Sequence, residues 1–224
     1  MQIGLGLQAD LIAKMPSTDC ATPAAPAAPV LRNAIVHSVN LGAARRLQMH
    51  GRSVLSAIGK QAVQGAVPVG RLGLMGDEQA DLSLHGGLDK AVYAYPLEHY
   101  AFWQTQRRAH SVSLFAEVLA PGFVGENLTL EGLLESDVWV GDELHFPHCV
   151  LRVTEPRHPC SKFNAVMGYS QASRDMANAL CSGFYLAVDQ PGTVSKGEAF
   201  TVVSGKRGLS IAEAFGAKRA KHLR

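Results

Sequence analysis

Short segments of alternating apolar and polar residues, separated by glycine-rich turns, fill the sequence from about Asn33 to residue 155. They are AIVHSVNL, GAVPVGRLGLMGD, AVYAYP, ENLTLEG, SDVWVGDELHF and CVLRVTEP. Successive side chains on a strand point to opposite faces, so these segments fit half-buried strands. Their close spacing leaves no room for the crossover helices of βαβ units. The sequence therefore predicts a mainly β fold, either a β-barrel or a closed sandwich, with a few peripheral helices.

Three segments have helical features: PLEHYAFWQTQRR, SQASRDMANALCSG and LSIAEAFGAKRAKHLR. The first begins with Pro96, a residue favoured in the first turn of a helix. The second ends at Gly183, and the third places Ser210 and Glu213 at the spacing of a capping box. We therefore expect these three segments to form the peripheral helices.

Residues 16–30, PSTDCATPAAPAAPV, alternate proline with alanine and can sustain neither a helix nor a sheet ladder. The alternating segments begin after them, near Asn33. We therefore predict a flexible N-terminal extension and Pro/Ala linker over residues 1–32, a β-barrel domain over 33–205 and a C-terminal helix over 206–224.

Composition and charge narrow the class of protein. Hydrophobic residues make up 47% of the chain and charged residues 18%, which fits a globular protein with a sizeable core. The formal charge of +2 is too small to indicate a nucleic-acid polymer as a partner. The N-terminus lacks the basic segment of a signal peptide, and no apolar run approaches the roughly 20 residues of a membrane helix. We expect a cytoplasmic protein without a membrane partner.

The segment TEPRHPCSKFN concentrates reactive side chains between and after two stiffening prolines. Arg157, His158, Cys160 and Lys162 fall within six positions of it. A thiol beside positive groups is biased toward the thiolate, the form that binds metals and attacks electrophiles. Taken by itself, Cys160 fits a structural role as well as a functional one.

A structural zinc site is another use for these side chains. Five potential ligands crowd one predicted hairpin: His145, His148, Cys149, His158 and Cys160. Because His148 and Cys149 are adjacent, they point to opposite faces of a strand, and four convergent ligands are hard to assemble. The cysteines also lack a CxxC spacing. We therefore disfavour zinc and expect Cys149 and Cys181 to be packing thiols.

Two further segments have features of a ligand-binding backbone. In LHGGLDKAVYAYP, two glycines that permit close backbone approach precede Lys90, whose charge can offset that of a polyanion. In GFVGENLTLEG, Asn127 offers both a hydrogen-bond donor and an acceptor at a turn. Each segment alone is equally typical of an ordinary turn.

Taken together, three segments resemble the MOSC domain family (molybdenum-cofactor sulfurase C-terminal domain), and closely its bacterial YiiM-like branch. They are LGLMGDEQADLSLHGGLDKAVYAYPLEHYAFW, GFVGENLTLEGLLESDVWVGDELHF and VTEPRHPCSKFN. The resemblance covers roughly residues 33–205, with the segments in the family's order. It implies a MOSC-type β-barrel, a molybdenum cofactor (molybdopterin) and the reduction of N-hydroxylated compounds, including N-hydroxylated purine bases and amidoximes.

The resemblance also implies roles for individual residues. The family's invariant cysteine falls on Cys160, which would be the catalytic residue and the thiolate ligand of molybdenum, a metal suited to soft sulfur donors. The family's motifs imply cofactor-binding roles for His85, Gly86, Gly87, Lys90, Gly125, Glu126, Asn127, Arg157, Lys162 and Asn164. Which residue holds the pterin phosphate stays open among Lys60, Arg71, Lys90 and Arg157. Either His158 or Glu126 could shuttle protons or have only a structural hydrogen-bonding role.

We therefore expect a molybdenum-dependent reductase of a small N-hydroxylated substrate. The chain has no flavin, haem or iron–sulfur motif, so electrons are expected from a separate donor protein. The alternative is a non-redox module that carries sulfur as a persulfide on Cys160 or stores the cofactor. Pyridoxal phosphate is not expected, because no lysine has the context of a Schiff-base site. Close relatives often have an aromatic residue directly after the cysteine, whereas this chain has Ser161, so the substrate preference does not follow from the resemblance.

Overall fold

Seven strands close into a barrel in the computed structural model, which describes residues 30–49, 51–80 and 86–222. Around the barrel these strands are β1 (Val30–Leu41), β8 (Leu128–Glu131), β7 (Val92–Pro96), β11 (Phe184–Gln190), β10 (Val150–Pro156), β9 (Glu143–His145) and β13 (Ala199–Val203). Strand β13 pairs again with β1, and only β7 and β8 are parallel among these described neighbours. The prediction of a mainly β fold is confirmed, with the barrel rather than the sandwich. Most of the predicted N-terminal extension, residues 1–29, lies outside the described residues.

Strand β1 closes the barrel by serving two neighbours. It pairs with β13 around Ala34 and with β8 as far as Val39, and both ladders contain a register shift. An extra residue in one strand bends that strand and increases its twist. This bending lets a single strand of 12 residues join the first and last parts of the barrel.

The remaining strands lie outside the barrel. Strands β2 (Arg45–Met49) and β3 (Arg52–Ser56) form a separate hairpin. Strand β4 (Gln61–Val63) pairs in antiparallel orientation with the end of β1. Strands β5 (Val67–Gly70), β6 (Gly73–Leu74) and β12 (Gly192–Val194) form a small three-stranded sheet. Gly73 has φ 117°, and a Cβ there would lie 2.3 Å from the carbonyl oxygen of Ala91. Glycine therefore allows β6 to approach the start of β7, which brings the following residues, 77–80, close to the barrel wall.

Buried apolar side chains form two clusters, one on each side of the barrel wall. In β7, Val92 and Ala94 belong to the inner cluster, whereas Tyr93 and Tyr95 belong to the outer one. The outer cluster is covered by α1 (Tyr100–Ala109), α2 (Ser161–Met167) and α3 (Ala172–Ala179), which contribute Trp103, Phe163 and Met176. Because successive strand residues point to opposite faces, β7 is buried on both sides.

Helices form in all three segments where the sequence predicts them and in one further segment. Helix α4 (Ile211–His222) begins with the predicted capping box, in which Ser210 N donates to Glu213 Oε2 (2.8 Å) and Glu213 N donates to Ser210 Oγ (3.2 Å). Helix α2 was not predicted, because it is too short to show a helical pattern. Its seven residues contain a single pair of large apolar side chains four positions apart, Phe163 and Met167. None of the described helices is long and apolar enough to span a membrane.

A buried carboxylate joins the C-terminal segment to the barrel. Asp142 is fully buried and accepts hydrogen bonds from the backbone N–H groups of Trp139 (3.0 Å) and Gly205 (2.8 Å). It also accepts from the Arg207 guanidinium at 2.8 Å, which lies 4.1 Å from the centre of the Trp139 ring. The chain between β13 and α4 is thereby held against the barrel.

Candidate functional site

A cavity of about 90 Å³ opens on the outer face of the barrel, where it is bounded by β7, β11 and the start of α2. One water molecule needs about 10–15 Å³, so this space has room for a ligand much larger than water. Sixteen residues line the cavity: Ser56, Ala57, Ile58, Lys60, Asp77, Glu78, Gln79, Ala80, Lys90, Tyr93, Gly125, Asn127, Arg157, Cys160, Lys162 and Tyr185. The structure therefore brings together Cys160 and five of the ten residues proposed to bind the cofactor.

Cys160 occupies the junction between the barrel and helix α2. It is the N-cap of α2, with extended backbone (φ −132°, ψ 174°), and its carbonyl oxygen accepts from Phe163 N at 2.9 Å. Its side chain is half-buried in the cavity wall. The irregular backbone between β10 and α2 is therefore confined to residues 157–160, and the helix that follows holds the thiol in place.

Arg157 brings a buried positive charge to the cavity. Only 5% of the residue is exposed, and its guanidinium carbon lies 5.2 Å from the ring centres of both Tyr93 and Phe163. Burial lowers the pKa of Arg157, but Tyr93, Tyr185 and the Cys160 thiolate outweigh that effect and raise it. Within the described part of the chain, no carboxylate lies within ion-pair distance of Arg157. Its charge is therefore available to an anion in the cavity.

A second cation, Lys60, forms a buried ion pair at the cavity wall. Its Nζ contacts Asp77 Oδ1, and the side chains of both residues are less than one-tenth exposed. Asp77 also accepts from Gly42 N and from Asn127 Nδ2, each at 2.8 Å. Burial lowers the pKa of Lys60, whereas Asp77 opposes this shift. Asp77 was missed in the sequence, where it reads as an ordinary turn residue after GLMG.

Two half-buried lysines complete the positive lining. Lys90 lies 3.3 Å from Glu155 and 5.7 Å from the centre of the Tyr185 ring. Lys162 lies in the first turn of α2, two residues after Cys160. Of the four candidates for the phosphate contact, Lys60, Lys90 and Arg157 line the cavity and the exposed Arg71 does not.

The described part of the HGG segment, Gly86 and Gly87, borders the cavity without lining it. His85 lies outside the described residues, and neither Gly86 nor Gly87 belongs to the lining. Gly87 has φ 94°, and its N–H donates to Gln79 Oε1 at 3.1 Å. Gln79 does line the cavity, so the HGG segment supports the site through this side chain.

The GEN segment divides between the cavity and the core. Gly125 and Asn127 line the cavity, whereas Glu126 is fully buried and turned away from it. Glu126 Oε1 accepts from the Tyr100 hydroxyl, from Gly122 N (2.7 Å) and from Thr129 Oγ1 (2.8 Å). Burial raises the pKa of Glu126 although these hydrogen bonds oppose the shift. The position fits a structural hub better than a proton donor to a ligand.

Asn164 likewise lies outside the cavity lining and joins two helices. Its Oδ1 accepts from both the backbone N–H and the hydroxyl of Ser173, each at 2.7 Å. This contact ties α2 to α3 and so supports the helix that follows Cys160. We therefore expect Asn164→Ala to act on folding first.

Asn164→Ala should lower the free energy of unfolding by about 1–2 kcal/mol, because two hydrogen bonds lose their acceptor. Urea denaturation measures this change, and molybdenum content per folded protein should stay at the level of the unchanged chain. Asn164→Asp, which keeps an acceptor oxygen, is the matched control. Loss of molybdenum without loss of stability would instead assign Asn164 to the cofactor site.

The side chains considered for zinc do not form a cluster. His145 Nε2 lies 2.7 Å from Glu143 Oε2, and Cys149 is buried in the inner core. In the ranges that the structure describes, no three His, Cys, Asp or Glu side chains converge in a way that could hold a metal ion.

The fold and this cavity define a small β-barrel protein with a thiol and several cations around an open ligand site. A family model described as "MOSC domain" matches residues 81–201. The chain is 37% identical over 169 residues to Protein YiiM of Escherichia coli (strain K12), covering 75% of this chain and 73% of that protein. The chain belongs to the MOSC domain family, which fits a molybdenum-cofactor-associated function.

A solved structure and a longer protein are also similar to this chain. The crystal structure of YiiM from Geobacillus stearothermophilus superposes with a TM-score of 0.66 at 30% identity, covering 84% of this chain and 85% of that one. A protein named "Reductase" from Gibberella moniliformis (strain M3125 / FGSC 7600) is 29% identical over 177 residues, which are 79% of this chain and 30% of that protein. The structural match supports the YiiM-like branch of the family.

Proposed function

We propose that this protein is a molybdenum-cofactor-dependent oxidoreductase that reduces N-hydroxylated compounds, such as N-hydroxylated purine bases and amidoximes, to amines or amidines. One observation carries the proposal: a half-buried thiol, Cys160, shares a cavity with four basic side chains. Those side chains are Lys60, Lys90, Arg157 and Lys162. The MOSC family membership and the similarity to a protein named "Reductase" support the same reaction class.

The lining of the cavity fits the cofactor by its donor chemistry. The cofactor carries a phosphate and dithiolene sulfurs, both of which bring negative charge. Arg157 offers a buried cation that has no carboxylate partner among the described residues, and burying such a charge is costly unless an anion compensates it. Cys160 adds a soft sulfur donor suited to molybdenum. The residues present therefore fit a polyanionic group with a thiophilic metal.

Each side chain has a defined part in holding the cofactor. Cys160 would be the protein's thiolate ligand, while Arg157, Lys90 and Lys162 offset negative charge. Asn127 and the backbone at Gly125 offer neutral hydrogen-bonding groups. When bound, the cofactor supplies a metal centre that cycles by two electrons and accepts the oxygen of an N–OH group.

The chain itself positions the substrate and supplies protons. Reduction of the N–OH group consumes two electrons and two protons, breaks the N–O bond and releases water. Lys60 is the best-placed acid, because it lines the cavity and burial lowers its pKa, which makes its proton easier to release. Tyr93 and Tyr185 add aromatic surface to the cavity lining, against which a planar base can pack.

The purified full-length protein should contain molybdenum and pterin, and it should reduce an N-hydroxylated adenine with reduced methyl viologen as the electron source. Metal analysis, pterin fluorescence after oxidation and detection of adenine measure the three quantities. A chain that carries cyanide-labile sulfur on Cys160 but does not turn the substrate over would instead be a sulfur carrier. Cofactor without turnover would indicate a storage protein. Either result would overturn the proposed reductase activity.

A further inference from the structure

One part of the sequence has an unusual charge distribution. No aspartate or glutamate occurs between Asp19 and Asp77, although the whole chain contains 19 acidic residues and has a net charge of only +2. Within this stretch, residues 45–71 contain five basic residues: Arg45, Arg46, Arg52, Lys60 and Arg71. A concentration of one sign of charge creates a local potential that attracts partners of the opposite sign.

The structure collects three of these charges on the β2–β3 hairpin. Arg45, Arg46 and Arg52 are all exposed, and the hairpin itself contains no acidic residue. In the described part of the chain none of the three lies within ion-pair distance of a carboxylate, and Arg46 contacts only Ser53 Oγ, at 3.5 Å. No carboxylate among the described residues therefore neutralises their charge through an ion pair.

The two faces of the hairpin differ in burial. Leu47 pairs with Val54, both are half-buried, and β2 contacts helix α2. On the opposite face, Arg46 pairs with Leu55, which is 52% exposed. Arg45 and Arg52 pair with Ser56 and Met49 and so belong to the face of Leu47, but both stay exposed, at opposite ends of the hairpin. Arginine is enriched in protein–protein contact surfaces. The exposed part of the hairpin, with its three arginines and Leu55, therefore has the composition of a small docking surface.

This surface directly adjoins the candidate site. Arg45 lies opposite Ser56 in the hairpin ladder, and directly opposed residues in antiparallel strands have Cα atoms about 4.5–5.5 Å apart. Ser56, Ala57 and Ile58, at the end of the hairpin, all line the cavity. None of the three arginines lines it, so their charge acts at its edge and not on a bound ligand.

We propose that the exposed part of the β2–β3 hairpin is the docking surface for an acidic electron-carrier protein that serves the cavity. This inference rests on the proposed reductase function, because the reaction needs two electrons from outside the chain. The carrier is oxidised as it delivers them, and the N–O bond of the substrate is broken with release of water. A transient carrier needs only a small interface, and complementary charge increases the rate of encounter.

The test compares two triple variants of the full-length, cofactor-loaded protein. Arg45→Glu/Arg46→Glu/Arg52→Glu changes the docking surface, and Arg108→Glu/Lys196→Glu/Lys206→Glu makes the same charge change at exposed positions outside it. Each is assayed with reduced flavodoxin, a small acidic flavin protein, and with reduced methyl viologen. Direct binding of flavodoxin is measured from about 0.01 M to about 1 M salt, over which the Debye length falls from about 30 Å to about 3 Å.

The hairpin variant should lose about tenfold or more in kcat/KM with flavodoxin, whereas methyl viologen should support unchanged turnover. Flavodoxin binding by the unchanged protein should weaken steeply with salt, and the control variant should retain both binding and rate.

Equal flavodoxin rates for the unchanged protein and the hairpin variant, or equal losses in both variants, would overturn the docking surface. Hairpin-dependent binding of a single-stranded oligonucleotide without such binding of flavodoxin would also overturn it, in favour of nucleic acid. Absence of turnover with methyl viologen in the unchanged protein would contradict the proposed function instead.

Discussion

Cys160→Ser should abolish the reduction of N-hydroxylated substrates while the barrel stays folded. Serine is close to cysteine in size, and position 160 is half-buried at an N-cap, where a hydroxyl is well tolerated. Its alcohol remains protonated near neutral pH and is a poor ligand for a soft metal. Turnover with reduced methyl viologen measures the loss, and circular dichroism measures the fold. Under the proposed function the basic side chains of the cavity also hold the cofactor, so cofactor content should fall only in part.

The two buried cysteines provide matched controls for this substitution. Cys149 is 3% exposed and Cys181 is 1% exposed, and burial raises the pKa of their thiols to about 11 and about 12. Both are therefore neutral packing groups, and serine at either position buries a new hydroxyl, at a cost of about 1–3 kcal/mol. Cys149→Ser and Cys181→Ser should lower stability more than turnover. Full activity of Cys160→Ser would refute the thiolate assignment, and equal losses in all three variants would point to general destabilisation.

Arg157→Met should reduce retention of the cofactor by about ten- to a hundredfold, the equivalent of losing a charge-assisted hydrogen bond worth roughly 1.5–3 kcal/mol. The apo-protein should be as stable as the unchanged chain or more stable. The reason is that the guanidinium is buried without a carboxylate partner in the described residues, whereas methionine fills similar space without a charge. Molybdenum and pterin contents after gel filtration measure retention, and thermal unfolding of the apo-protein measures stability.

Arg152→Met is the control, because Arg152 lies on β10, the strand that ends directly before Arg157, but is 39% exposed and pairs with Asp189 at 2.9 Å. It does not line the cavity, so its removal should leave cofactor content unchanged. Unchanged retention in Arg157→Met would mean that the buried charge does not contact the cofactor. A large fall in apo-protein stability would show that Arg157 holds the outer core together instead.

Five of the seven barrel strands, β1, β7, β8, β9 and β10, lie largely in segments that the sequence predicts as strands. Strand β11 was missed, since five consecutive residues, Phe184–Val188, are buried and show no alternation. Its two faces meet different cores: Leu186 lies in the inner cluster and Tyr185 in the outer one. No local pattern distinguishes such a strand from a buried helix, so only the tertiary arrangement reveals it.

The site was predictable to the extent that its residues carry charge or a thiol within a recognisable motif. Cys160, Arg157 and Lys162 were named correctly as neighbours, because a short rigid segment keeps them close. Asp77 and Tyr185 join them only through folding, from positions far away along the chain. Conversely, Glu126 lies within a motif segment yet is turned into the core, because its hydrogen-bond partners Tyr100 and Thr129 are there. Sequence motifs therefore identified the segments that border the cavity but not the direction of each side chain.

The pairing of β1 with β13 has a consequence for how the protein matures. Closing the barrel joins residues near the two ends of the described chain, and such distant contacts make folding slow because a long loop must be ordered first. The walls of the cavity come from segments as far apart as Ser56 and Tyr185. A nascent chain that has not yet released β11 from the ribosome has no complete cavity. Binding of any ligand in this cavity therefore has to follow synthesis of almost the whole chain, and it selects molecules in which the barrel has already closed.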